Sequence, residues 1–164
     1  MKLSKYLLVL FLSCASLGAF AQDKLLVGGS GNPSLLIIDK DTKTIEWEHK
    51  LNPGEECNTV QAMPNGNILY SYKKGAKLID RNHKEVWNFT VPDTDELQSA
   101  FLLKDGGYLL GICGSPARII ELDKNGKVRN KVEIDLGIED PHSQFRQVVK
   151  LRNGNYLLPV LATK

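Results

Sequence analysis

Three stretches of this sequence share one grammar: an apolar strand, a turn carrying Asn-Gly or Asp-Gly, and a second apolar strand. They are TVQAMPNGNILYSY at 59–72, SAFLLKDGGYLLGI at 99–112 and RQVVKLRNGNYLLPVL at 146–161, and their turn glycines Gly66, Gly106 and Gly154 stand 40 and 48 residues apart. A second pattern lies between these hairpins, in which an apolar strand ends in an aspartate and a polar turn leads into another strand. It reads SLLIIDKDTKTIEWEHKL at 34–51, AKLIDRNHKEVWNFTV at 76–91 and ARIIELDKNGKVRNKVEI at 117–134, with Asp39, Asp80 and Asp123 separated by 41 and 43 residues. Two independent markers thus report one structural unit of a little over 40 residues. A unit of that size cannot cover its own apolar faces and must stack on its neighbours.

The unit is all β. Runs such as LLIID, AKLID and RIIEL are too short for helices, rich in Ile and Leu, and bounded by turn residues. Four short antiparallel strands per repeat predict a β-propeller, here about three four-stranded blades of an incomplete, truncated ring of six to eight blades. With strands named a to d outward from the axis, residues 22–164 form the partial propeller. It reads b-c-d over 25–51, a-b-c-d over 57–91, a-b-c-d over 97–134 and a-b over 144–161. The remaining blades of the same protein are then its first expected partner, with closure by oligomerisation the alternative. A β-sandwich also uses short strands, but it does not predict the repeated Asp-to-Trp spacing of 39 to 47 and 80 to 87.

Ahead of the repeats, Lys2 and Lys5 precede the apolar run Tyr6 to Leu12, and Ala19-Phe20-Ala21 closes the segment. That order predicts a signal peptide over residues 1–21 and an exported protein, periplasmic or extracellular, with no transmembrane segment in the mature chain. A lipoprotein attached through Cys14 is the alternative. Removing residues 1–21 takes away two lysines and no acid, so 21 basic and 19 acidic residues become an even balance. A neutral chain without a basic run gives no electrostatic reason to expect nucleic acid as partner. Of the three cysteines, Cys57 and Cys113 survive cleavage, and the sequence leaves open whether they pair or stay as buried thiols. His49, His83 and His142 fall in different strands and turns and no Cys-x-x-Cys occurs, so no metal site is expected.

The run Asp39-Lys40-Asp41-Thr42-Lys43-Thr44-Ile45-Glu46-Trp47 resembles the Asp-x-x-Thr-Gly-x-x-x-Trp repeat of PQQ-like, quinoprotein-type β-propellers, and Asp80 to Trp87 is similar to a shortened version. The resemblance implies that Trp47 and Trp87 dock between neighbouring blades. It also implies PQQ and calcium as the cofactors to consider, although the adjacent Cys pair and calcium carboxylates of the quinone enzymes are not recognisable; otherwise no cofactor is expected. Lys43 departs from the pattern, as do Arg129 and Asn130 where a Trp would stand.

Because a- and b-strands are antiparallel, the d-to-a and b-to-c connections emerge together at one mouth of the channel. That face collects Glu55, Glu56, Cys57, Asn58, Tyr72, Lys73, Asp95, Glu96, Gln98, Cys113, Ser115, Arg118, Glu139, Asp140, His142, Gln144 and Arg146. Within EDPHSQFRQ at 139–147, alternate spacing puts His142, Gln144 and Arg146 on one side of an extended chain. An imidazole that exchanges protons and a guanidinium fork would suit an anionic group. The expected ligand-binding set is Cys57, Asn58, Tyr72, Gln98, Cys113, Arg118, His142, Gln144 and Arg146, with His142 and Arg146 as catalytic candidates. The structural alternative has His142 and Arg146 bonding loop carbonyls and a nearby acid such as Asp140.

These readings lead to an exported propeller that binds a small molecule, glycan or protein through that mouth, without catalysis. A propeller hydrolase, lyase or sulfotransferase-like enzyme using His142 as acid/base and Arg146 as anion clamp is the alternative. A quinone-dependent dehydrogenase relative is the second. Fold alone does not choose among them.

Overall fold

The computed structural model describes residues 24–161; the leader expected over residues 1–21, and Cys14 within it, lie outside the described residues. The all-β expectation holds. Thirteen strands and one three-residue 3₁₀ turn make up the regular structure of the described residues. The first sheet contains β1 (Lys24–Val27), β2 (Ser34–Asp39) and β3 (Ile45–Lys50). The second holds β4 (Thr59–Ala62), β5 (Ile68–Tyr72), β6 (Gly75–Ile79) and β7 (Glu85–Thr90), and the third β8 (Glu96–Leu102), β9 (Tyr108–Cys113), β10 (Ala117–Leu122) and β11 (Val128–Ile134). A fourth sheet pairs only β12 (Val149–Lys150) with β13 (Tyr156–Leu157), extended by a bridge from Phe145 to Val160. All pairings are antiparallel between consecutive strands. The sheets form no closed barrel or ring among the described residues.

Turn chemistry sets this pattern. Gly66, Gly106 and Gly154 adopt φ of 87°, 84° and 90°, the left-handed region that their hairpins require. The preceding Asn65, Asp105 and Asn153 each accept the backbone N–H two residues on, at 3.1, 3.2 and 3.1 Å. The aspartates of the second pattern do the same work in the turns before the outer strands. Asp39 accepts from the amides of Asp41 and Thr42, Asp80 from those of Asn82 and Lys84, and Asp123 from those of Asn125 and Lys127. An acceptor that closes on its own backbone makes the turn local, independent of the rest of the chain.

The core lies between sheets. One cluster joins Leu35, Ile37 and Trp47 of the first sheet to Ile68, Tyr70, Tyr72 and Ile79 of the second. Another joins Leu69, Ala76 and Leu78 to Leu97, Ala100, Tyr108, Leu110, Ile112 and Leu122 of the third. A third joins Leu109, Cys113, Ala117 and Ile119 to Phe145 and Val148 at the fourth. Covered on both faces, β5 and β9 are buried at every position, whereas β3 and β7 alternate.

Both tryptophans sit at these junctions. Trp47, 8% exposed, donates Nε1–H to the Arg81 carbonyl of the next sheet at 3.0 Å. Trp87 lies flat on Tyr108 of the third sheet, with ring centroids 4.4 Å apart and planes at 3°. The third sheet has no such ring: Asn130 instead donates Nδ2–H to the Tyr156 hydroxyl at 2.9 Å. Opposite Asn130 stands Glu121, in the register position that Ile37 and Leu78 hold opposite the tryptophans. Glu121 is buried and receives Lys150, the Tyr156 hydroxyl at 2.7 Å and Arg129 at 3.2 Å. Burial opposes its charge, but the bonds from Lys150 and Tyr156 outweigh burial and lower its pKa. Removing a packed tryptophan leaves a void and an orphaned carbonyl, so Trp47→Ala is expected to lower stability by about 3 kcal/mol in urea unfolding.

Candidate functional site

The chain brings three sheets together at one end through a single carboxylate. Glu96 opens β8 with its side chain 9% exposed, and accepts Lys73 Nζ at 2.8 Å, His142 Nδ1 at 3.0 Å and Gln98 Nε2 at 2.9 Å. Lys73 comes from the β5–β6 turn, Gln98 from β8, and His142 from the 3₁₀ turn Pro141–Ser143 before the fourth sheet. Burial works against the Glu96 charge, yet the bonds from Lys73 and His142 win and hold its pKa below the usual glutamate value. An ionised Glu96 only accepts hydrogen bonds, so the proton of this contact resides on His142 Nδ1. The His142 side chain is 66% exposed. Its Nε2 is therefore the atom a neutral ring offers to a ligand, as an acceptor or base, while the Lys73 ammonium is held on the other oxygen of the same carboxylate.

A second layer fixes this arrangement. Arg118 pairs with buried Asp95, whose carboxylate lies against Gly114; a Cβ there would sit 2.5 Å from Asp95 Oδ1. Gln144 locks the same turn, accepting Gly114 N–H at 2.9 Å and donating to the Gly114 and Ile138 carbonyls at 2.8 Å each. Asn58 donates to the Leu97 carbonyl at 2.9 Å, tying the second sheet to the third beside Glu96. No buried side-chain nitrogen or oxygen among the described residues lacks a hydrogen bond.

The expected residues thus divide. Gln98 and His142 meet at Glu96, with Asn58, Arg118 and Gln144 supporting the surrounding turns. Cys57 and Tyr72 turn instead into the core between the first two sheets. Both cysteines are free and buried; burial pushes the thiol pKa to about 11 for Cys57 and about 12 for Cys113. Arg146 donates to the His142 and Phe145 carbonyls.

The extended segment expected over 139–147 is a difference of substance. Asp140 caps a 3₁₀ turn by accepting His142 N–H at 3.1 Å and the Ser143 hydroxyl at 2.6 Å, with Pro141 setting the first turn residue. The alternation of His142, Gln144 and Arg146 therefore presents no common side: one faces Glu96, one is buried, one folds back on its own loop. The central acceptor, Glu96, falls on the expected mouth face but outside the expected ligand-binding set. Its acidic side chain at the head of the apolar run LQSAFLL was the signal.

A cleft of about 560 Å³ lies elsewhere, lined by Phe101, Leu103, Arg129, Val149, Lys150 and Leu151 between the third and fourth sheets. It contains none of the residues bonded to Glu96. Among the described residues no group of three or more His, Cys, Asp or Glu side chains is placed to hold a metal ion, and no helix is long and apolar enough to cross a membrane.

A family model described as "Mal s 1 allergenic protein-like" matches residues 30–164. A crystal structure of a protein of unknown function from Bacteroides caccae superimposes with a TM-score of 0.79 at 50% sequence identity, covering 84% of this chain and 50% of that one. The chain spans half the length of that solved relative. No curated protein matches. These findings overturn the resemblance to PQQ-like propellers. The Asp-to-Trp pattern that suggested it encodes a self-closing turn and an aromatic junction, which stacked sheets need whatever they bind. The ground for PQQ, calcium and a quinone-dependent dehydrogenase goes with it.

Because the folded pKa of Glu96 is depressed, its contribution to stability is complete above the ordinary glutamate value and is lost as pH falls through that value toward the folded one. Glu96→Gln is expected to cost about 2 kcal/mol at pH 7 and to flatten the acid limb of the melting temperature below about pH 5.

Proposed function

The chain belongs to the Mal s 1 allergenic protein-like family, and on that footing we propose that it is an exported β-propeller that binds a small molecule, glycan or protein at the end bearing Glu96 and His142. Its sheets are read as successive blades. Support comes from the core clusters, which among the described residues join consecutive sheets, and from a solved relative of twice the matched length, which leaves room for further blades. Export rests on the leader pattern of residues 1–21.

The observation that carries the binding role is the buried Glu96 holding Lys73, Gln98 and His142 from three successive structural units. Rigid presentation of exposed groups by a buried second layer is how a site gains affinity without ordering costs on binding. A donor, Lys73 Nζ, and an imidazole held through Nδ1, His142, are anchored on the two oxygens of one carboxylate. Arg146, expected as an anion clamp, spends hydrogen bonds on backbone carbonyls, which favours recognition over anion-transfer chemistry.

The enzyme reading retains one supporting observation, the Glu96–His142 pair that holds a largely exposed imidazole through Nδ1, as a general base requires. The two readings part under substitution. A thermal-shift screen with monosaccharides, short glycans and carboxylate metabolites should find compounds that stabilise the wild-type chain and lose about tenfold or more in affinity with Lys73→Ala and His142→Ala. Turnover of ester, glycoside or sulfate-ester substrates that falls by about a hundredfold or more in His142→Ala would instead establish a hydrolase. N-terminal sequencing of the exported form is expected to begin at Gln22; an intact Met1 would remove the export reading.

A further inference from the structure

The first two sheets meet through a pair of imidazoles distant in sequence. His49 on β3 and His83 in the β6–β7 turn face each other Nδ1 to Nδ1 at 3.3 Å, with ring planes 14° apart and centroids 5.5 Å apart. The centroid separation exceeds the nitrogen separation by about two ring radii, so both nitrogens lie on the line joining the rings. Head-on geometry suits one proton held between two nitrogens. A metal bound by both would sit off that line, where tetrahedral bonds converge.

The pair is held in place from two sides. Trp47 stacks on His83 at 5.3 Å and on His49 at 5.9 Å, and its own Nε1 is fixed by the Arg81 carbonyl. His83 has φ of 68°, in the left-handed region where the matching turn of the third sheet carries Gly126 at 82°. A residue with a Cβ pays for that conformation, and here it aims the imidazole across the junction.

We propose that His49 and His83 form an acid-sensitive latch between the first and second sheets, which tolerates one added proton and opens on the second. With His83 donating Nδ1–H and His49 accepting, a first proton carried on His83 Nε2 leaves the bond intact. The second has only His49 Nδ1, and taking it sets N–H against N–H and places two like charges in contact. The charged and titratable groups around the pair are Glu55, Lys77, Tyr70, Arg81 and Glu85. Glu55 is engaged by Asn52, Tyr70 and Lys77, Arg81 lies over Trp47, and Lys77 also pairs with Glu85. Burial first, then the charge of His83, lower the His49 pKa, the direction expected of the ring that protonates last. A folded value below the unfolded one means the latch contributes fully above the ordinary histidine range and is lost as pH falls through it toward the folded value.

Cys57 reports the state of the latch, because its thiol is buried by the first sheet, within the same cluster as Leu35 and Trp47. Cys113, buried between the third and fourth sheets, is the control in the same molecule. Labelling with 4,4′-dithiodipyridine, quantified by peptide mass spectrometry, is expected to show the Cys57/Cys113 ratio rising about tenfold from pH 7.5 to 5. His83→Asn, which suits the left-handed backbone and cannot take a second charge, should hold the ratio within about twofold. An equal rise in His83→Asn, or a constant wild-type ratio, overturns the latch. Nitrogen-15 spectra of the wild-type chain at pH 7.5 supply an independent reading: an unprotonated His49 Nδ1 is expected, and a protonated one sinks the assignment, as would saturable uptake of one Zn²⁺ by the pair.

Discussion

The edges that the third and fourth sheets turn toward the preceding sheet are the constraint on which this fold depends. An edge strand exposes a row of amides and carbonyls that must find partners, and here the preceding sheet supplies them from its side chains. Thr59 Oγ1 on β4 accepts the Ala100 amide at 3.1 Å, Gln61 Oε1 accepts the Leu102 amide at 2.8 Å, and Ser99 Oγ on β8 accepts the Val148 amide at 3.2 Å. Polar residues within apolar strands thus do what another strand would do, at the spacing of two packed sheets. The same side chains fix the sliding register between neighbours, which apolar contact alone leaves loose. The position of Glu96 follows, since it heads the strand that Thr59 and Gln61 hold.

Much of this was legible in the chain. Asn-Gly and Asp-Gly pairs and solitary aspartates announce turns by local hydrogen bonds, so strand order and the all-β class could be read without tertiary knowledge. Alternation around Pro141 predicts an extended chain, but the Asp140-Pro141 pair begins a turn and overrides it. Sites assembled across sheets were harder. Glu96 finds Lys73 and His142 at separations of 23 and 46 residues, and His49 finds His83 at 34, distances that no local sequence pattern connects. An acid at the head of a buried strand was visible; which donors would satisfy it was not.

The family resemblance failed for a related reason. Motif positions that stabilise the stack, such as Asp39 and Trp47, carry the strongest pattern in the sequence, while the groups that would touch a ligand carry none. Architecture repeats and therefore advertises itself. The residues of a site sit where the repeat is broken: among the described residues Lys73, Glu96 and His142 have no counterparts related by the repeat that share their contacts.

The three junctions differ in chemistry although the units are alike. Trp47 meets two imidazoles, Trp87 meets a phenol ring, and Asn130 with buried Glu121 meets Tyr156 and Lys150. Self-similar modules run the hazard of docking in the wrong order, because any apolar face will accept any other. Giving every seam its own key, one aromatic, one mixed, one ionic, makes a shuffled arrangement strand a carboxylate or crowd a ring. The irregular seams thereby act as addresses, telling each module which neighbour is its own.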